Sequence, residues 1–343
     1  MIDTAGGAGK CSRQVAFLTR HGWPWMRQTE DGAGHHQDLT INLAASHDDD
    51  WIVVFDDISR PIVTRVPLSR RILFVTEPQG QKYYRPRAVN QFGTMVSPYR
   101  VNGFRGQWVA SHPAINWFYG VAIGEDGTAT SRYGLADLRS MPVPADKASR
   151  ISVICSTKRR LPGQRARLRL LDHLTQAFPG QIDVFGRGFR QISDKADAIA
   201  SYRYHLVLEN NYCPHFWTEK LADAYLGYSL PIYCGCRNVT DYFPESSMVR
   251  IPDVEDHEGA VAIIGDLLKR DPWPERLTDI RAARIELLER QNIFSIVARL
   301  IGAARRDYHE ALEEQVIRPG DEFGPLRSLV RSGLRAYGRL IGS

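Results

Sequence analysis

A chain of 343 residues that is 43% hydrophobic and 24% charged suits two globular domains rather than one. Its net charge of +5, from 44 basic and 39 acidic residues, is too mild to argue for nucleic acid as a partner without a local basic face. Five scattered cysteines (Cys11, Cys155, Cys213, Cys234, Cys236) argue against a disulfide framework and for a reducing cytoplasm; no apolar run approaches the roughly 18–20 residues of a transmembrane helix, and MIDTAGGAGKCSRQ lacks the apolar core of a signal peptide.

In chain order, Val15 to Thr19 and Trp51 to Phe55 read as buried strands, and Arg71 to Thr76 is the clearest strand of the first half. Arg85 to Phe92 reads as a helix and Thr94 to Ser97 as another strand. Residues 100 to 148 are rich in Gly, Pro, Trp and Tyr without clean periodicity, so they read as connection and binding loops, closing on the linker-like Met141-Pro142-Val143-Pro144-Ala145. From Ile151 the pattern sharpens: ISVICS is a strand, and Gln164 to Phe178 a helix with Leu168, Leu171, Leu174 and Phe178 on one face. Ile182 to Phe185 is a strand, Asp194 to Tyr202 a helix, Met248 to Ile251 a strand, and Asp256 to Arg270 and Pro274 to Gln291 are helices. Strands alternating with helices predict parallel sheets, hence two α/β, Rossmann-like domains facing a cleft. The expected limits are 1–148, 149–315 and a tail over 319–343.

The most informative stretch is Tyr202 to Pro244. His205 to Leu208 form a short apolar strand ending in Glu209-Asn210-Asn211, Thr218 offers a hydroxyl N-cap to a helix running to about Gly227, and Leu230 to Tyr233 form the next strand. In a parallel α/β unit this gathers Glu209, Asn210, Thr218, Glu219 and Lys220 at the carboxyl end of the sheet, where ligands bind. A helix N-terminus with a lysine beside it suits a diphosphate.

The same residues resemble the donor-binding signature of glycosyltransferase family 10, the α1,3/α1,4-fucosyltransferases, in a bacterial-type member. Leu208-Glu209-Asn210, then Phe216-Trp217-Thr218-Glu219-Lys220, Pro231-Ile232-Tyr233-Cys234-Gly235 and Asp241-Tyr242-Phe243-Pro244 follow the family's order. Ala166-Arg167-Leu168-Arg169 and Ile182-Asp183-Val184-Phe185-Gly186 are similar to its Ala-Arg-x-Arg helix and following strand, and Phe74-Val75-Thr76-Glu77-Pro78 to a strand-end Glu element. The resemblance implies the GT-B architecture and an inverting transfer of fucose from GDP-fucose to a glycan or glycolipid hydroxyl. It implies no obligatory metal or other cofactor beyond the GDP-sugar co-substrate. This chain departs from the family pattern at Phe216, where a tyrosine is usual, and at Leu208 and Trp217.

Such a transfer needs a carboxylate facing the acceptor hydroxyl and fixed positive charge facing the departing diphosphate. Glu77, at a strand end before Pro78, is the candidate base. Arg167 is the candidate diphosphate clamp, because a guanidinium grips two phosphate oxygens at once, and Arg165 is its alternate. Lys220 would meet a phosphate, Asn210 would hydrogen-bond one, and Glu219 would accept from ribose or sugar hydroxyls; Glu209, Phe216 and Thr218 complete the donor set. His47-Asp48-Asp49-Asp50 reads as an acidic turn rather than a metal motif, Gly6-Gly7-Ala8-Gly9-Lys10 fails the phosphate-loop pattern because Cys11 follows, and Cys234 with Cys236 lacks a second zinc-like pair. Arg327, Arg331, Arg335 and Arg339 recur every four residues in a basic amphipathic tail suited either to an anionic membrane surface or to docking on the protein itself. The cysteine pattern predicts a cytoplasmic protein, and the tail adds the inner membrane face as a further expected site. The rivals are the same chemistry with another nucleotide-sugar, and a catalytically silent nucleotide-sugar-binding protein at the membrane.

Overall fold

The computed structural model describes residues 12–124, 126–304 and 313–323. In the first half the chain forms β1 (Arg13–Thr19), β2 (His35–His36), β3 (Leu39–Asn42), β4 (Trp51–Phe55), β5 (Ile62–Thr64), β6 (Arg71–Phe74), helix α1 (Pro86–Val89), β7 (Thr94–Ser97) and β8 (Gln107–Ala110). A hairpin of β9 (Val121–Ile123) and β10 (Ala129–Ser131) and helix α2 (Leu135–Ser140) follow. Seven of these strands make one sheet in the order β2-β3-β1-β4-β6-β7-β8, parallel except for the β2–β3 pair. β4 and β6 are buried along their whole lengths, which is why they read as unbroken apolar runs rather than alternations.

The second half contains β11 (Ala148–Ile154), α3 (Pro162–Ala177), β12 (Ile182–Phe185), α4 (Ala196–Ile199), β13 (Tyr202–Leu208), α5 (Glu219–Leu226), β14 (Leu230–Cys234), β15 (Val249–Arg250), α6 (His257–Arg270), α7 (Trp273–Glu289) and α8 (Ile293–Ala303). Its all-parallel sheet runs β12-β11-β13-β14-β15. Thr218 caps α5 as expected, Asp256 caps α6 through the Gly259 N–H, and the helix at Pro162 carries proline in its first turn.

Three expectations are corrected. Arg85–Phe92 and Asp194–Tyr202 are helical only over α1 and α4; turns follow each helix, and Tyr202 already belongs to β13. Residues 100–148, expected to be irregular, include β8, the β9–β10 hairpin and α2, each too short to show a period. Helix α8 was not anticipated: seven of its 11 residues are buried, so an amphipathic stripe is hard to see.

The two cores do not divide at residue 148. Trp117, Tyr119, Leu135 and Leu138 pack into the core of the second sheet, while Ile293, Phe294, Val297 and Ile301 of α8 return to pack on Val15, Phe17 and Phe55 of the first. A last strand, β16 (Gln315–Ile317), pairs antiparallel with β5.

Candidate functional site

The carboxyl ends of β11, β12 and β13, with the first turns of α5, enclose a cavity of about 200 Å³ lined by Ser156, Arg167, Arg187, Lys195, Glu219 and Lys220 among others. It opens between β11 and β13, where the strand order reverses, the place where open α/β sheets bind ligands. Arg167 reaches it from the first turns of α3 and is only 5% exposed. One guanidinium nitrogen donates to the Ser156 carbonyl and hydroxyl, both at 3.2 Å, while Nε is buried with no partner. Among the described residues no carboxylate makes an ion pair with it. It is a buried cation facing a cavity, short of an anion.

Beneath the cavity, Glu209 is fully buried at the end of β13. Its carboxylate accepts from the Thr218 N–H (2.8 Å), from the Thr218 hydroxyl (2.9 and 2.8 Å) and from Lys220 Nζ (3.4 Å). Burial pushes its carboxyl upward, and the Lys220 ammonium opposes that. Lys220 Nζ also lies 3.0 Å from the Thr218 hydroxyl and 3.3 Å from Glu219. Burial would raise the Glu219 carboxyl too, but Lys220 and Lys195 outweigh it and hold it down to about 2. Lys195 pairs with Glu219 at 3.6 Å and with the buried Asp223 at 2.7 Å. Asp223 also accepts the N–H groups of Phe118 and Tyr119, fastening the connection between the sheets to α5.

Glu77 follows β6 at the carboxyl end of the first sheet. Burial raises its carboxyl first, the Asp56 carboxylate adds to that, Lys82 and His21 oppose it, and Glu219 of the other half raises it further. The Phe118 and Tyr119 N–H groups, on the connection between the sheets, are fastened to Asp223 of α5, which holds the carboxyl end of the second sheet against that connection. The cleft thus has a carboxylate with raised proton affinity on one wall and the Arg167 and Lys220 cations on the other.

Not every expected residue lines the cavity. Arg167, Glu219 and Lys220 do; Glu209 and Thr218 lie beneath them as support. Asn210 stands at the strand end with its side-chain oxygen buried and unpartnered, and its carbonyl lies against Gly163, where an added Cβ would come within 2.2 Å. Phe216 is 4% exposed and packs inward; Tyr212 turns its hydroxyl to the Glu209 carbonyl at 3.3 Å. Trp217 stacks on His112 with ring centroids 3.9 Å apart, tying the signature loop to the chain that leaves β8. Arg165 donates to the Arg159 and Arg160 carbonyls. Sequence reading missed Lys195 and Asp223; the spacing of Asp223 four residues after Glu219, on one face of α5, was the available signal.

Asp49 and Asp50 brace the turn before β4 by accepting the Ser46 and Gln14 N–H groups. Cys234 and Cys236 are buried, and the described residues hold no metal-ligating cluster. No helix among the described residues is long and apolar enough to cross a membrane. The Gly6–Lys10 run and the basic tail from Pro325 to Ile341 lie outside the described residues.

Residues 146–272 match the family model described as Glycosyltransferase family 10 (fucosyltransferase) C-term. The chain is 30% identical over 73 residues to an alpha-(1,3)-fucosyltransferase of Helicobacter pylori, a stretch covering 21% of this chain and 15% of that protein. It is 25% identical over 126 residues to the 4-galactosyl-N-acetylglucosaminide 3-alpha-L-fucosyltransferase 9 of Rattus norvegicus, covering 35% of this chain and 34% of the relative. The chain thus aligns with well under half the length of either relative. A crystal structure of an alpha1,3-fucosyltransferase with GDP-fucose superposes with a TM-score of 0.51 over 91% of this chain and 96% of that one, at 13% identity. That likeness is one of fold, the GT-B arrangement of two facing Rossmann-like domains.

Proposed function

We propose that this chain, which belongs to glycosyltransferase family 10, is an inverting fucosyltransferase that moves fucose from GDP-fucose to a hydroxyl of a glycan or glycolipid. The observation that carries this reading is Arg167, a buried guanidinium with no carboxylate partner, set beside Lys220 in a cavity across from Glu77. A diphosphate supplies the anionic partner that Arg167 lacks, and a guanidinium can take two of its oxygens at once.

In the transfer, the acceptor oxygen bonds to the sugar's anomeric carbon as the bond from that carbon to the diphosphate oxygen breaks. The acceptor's proton passes to Glu77, whose raised proton affinity suits a general base. Charge that collects on the departing diphosphate is met by Arg167, Lys220 and the N-terminal turn of α5. Attack opposite the leaving group converts a β-linked donor to an α-linked product. The reaction would run in the cytoplasm, with no metal required.

A second reading keeps the chemistry and changes the sugar or base. It is favoured by Phe216, which packs inward where the family's tyrosine offers a hydroxyl. Turnover measured with GDP-fucose, GDP-mannose and UDP-sugars separates the two: fucose transfer supports the first, and turnover only with another donor supports the second.

A further inference from the structure

The carboxyl end of the first sheet holds a second carboxylate that the transfer above does not use. Asp56 follows β4 with φ 65°, a left-handed backbone that few side chains adopt, and it is buried. Three donors converge on it: Lys82 Nζ and the Tyr84 hydroxyl, each 2.6 Å from Oδ1, and His21 Nε2 at 3.3 Å from Oδ2.

Because Tyr84 gives its proton to Asp56, the lone pairs of its hydroxyl are left facing the main chain. They accept the N–H of Thr76 at 3.2 Å and the N–H of Glu77 at 3.3 Å. From the other side, the Tyr99 hydroxyl donates to the Glu77 carbonyl at 2.9 Å. Both main-chain groups of Glu77 are therefore held by tyrosines, one of them oriented by a buried anion. The carboxyl of Glu77 itself accepts from the Gln81 side-chain amide.

We propose that Asp56 is a positioning residue for Glu77, acting through Tyr84 on the main chain at 76–77 and through its own fixed charge on the Glu77 carboxyl. The functional part of this proposal rests on the reading of Glu77 as the base. The groups facing Glu77 divide by sign: Asp56 and Glu219 are anionic, Lys82 is cationic, His21 counts with it when protonated, and Gln81, Tyr84 and Tyr99 are neutral hydrogen-bonding partners. Burial alone would raise the Asp56 carboxyl, but His21, Lys82 and Tyr84 outweigh it and hold it well below the ordinary range, so its charge persists at neutral pH.

The test is a carbon-13 titration of the Glu77 carboxyl in protein labelled at glutamate, its signal identified by its loss in Glu77→Gln. Asp56→Asn keeps an oxygen for Tyr84 and Lys82, suits the left-handed backbone and removes the charge. The titration midpoint of Glu77 falls by roughly one unit in this variant. An unmoved midpoint overturns the proposal. If Asp56→Asn does not fold, Tyr84→Phe decides: the Thr76 and Glu77 amides exchange about tenfold faster while β6 keeps its protection, and unchanged exchange at both overturns it. A shifted midpoint together with wild-type transfer by Glu77→Gln leaves the coupling standing and removes Glu77 as the base.

Discussion

Replacing Arg167 with leucine should stabilise the empty protein and damage it as a diphosphate binder. In the free chain the guanidinium makes two hydrogen bonds, both 3.2 Å and both from one nitrogen, while its Nε is buried unpartnered. The two bonds contribute about 1 kcal/mol each, the orphaned nitrogen costs about 1–3 kcal/mol, and desolvating the charge costs several more. Leucine removes all these terms while still filling the buried position on α3, so the free protein should gain about 2–4 kcal/mol against urea. With GDP the sign reverses. Losing two charge-assisted bonds to a phosphate costs about 3 kcal/mol, or roughly a hundredfold in Kd. Arg167→Lys, which keeps the charge and loses the fork, should fall between the two. Urea unfolding with and without GDP, paired with calorimetry, reads both effects. GDP binding within about threefold of wild type, or an empty variant destabilised by more than about 1 kcal/mol, would refute the view of Arg167 as a charge awaiting its anion.

Glu77→Gln should lower transfer by about 10³-fold and leave GDP affinity unchanged, as measured by product formation and calorimetry. Because the folded protein raises the Glu77 carboxyl, the wild-type rate should fall as pH drops through that raised value, above the ordinary carboxyl range. The same shift fixes the sign for stability: the folded state holds this proton more tightly, so its contribution is fully present below the unfolded value and lost as pH rises through the folded one. Glu77→Gln should therefore raise Tm at neutral pH and match wild type in acid, which a pair of melting curves checks. Gly163→Ala should cost about 1–3 kcal/mol in urea, because the new Cβ would meet the Asn210 carbonyl at 2.2 Å and force the start of α3 away from the strand end at Asn210.

Much of the second half could be read directly from residue pattern. Thr218 as a cap, α5 to Gly227 and the strand at Leu230 were legible because cap chemistry and apolar period are local. Arg167, Glu219 and Lys220 were legible as a set because consecutive strands of a parallel sheet deliver their carboxyl ends to one edge. Other features depend on tertiary packing that no window of sequence displays. Lys195 looked like part of a helix start, and only the folded chain aims it between Glu219 and Asp223. Asp56 stands just past the strand read from Trp51 to Phe55, and its three donors, His21, Lys82 and Tyr84, come from distant points in the sequence. Helix α8 was hidden by its own burial, and its return to the first core reflects chain crossing rather than period.

The most direct measurement is calorimetric titration of the purified protein with GDP, UDP and CMP in the absence of added metal. Selective binding of GDP, lost in Arg167→Leu and kept in Glu77→Gln, is the predicted result. Preference for UDP or CMP, or no binding of any of the three, would contradict the assignment of a GDP-sugar to this cavity.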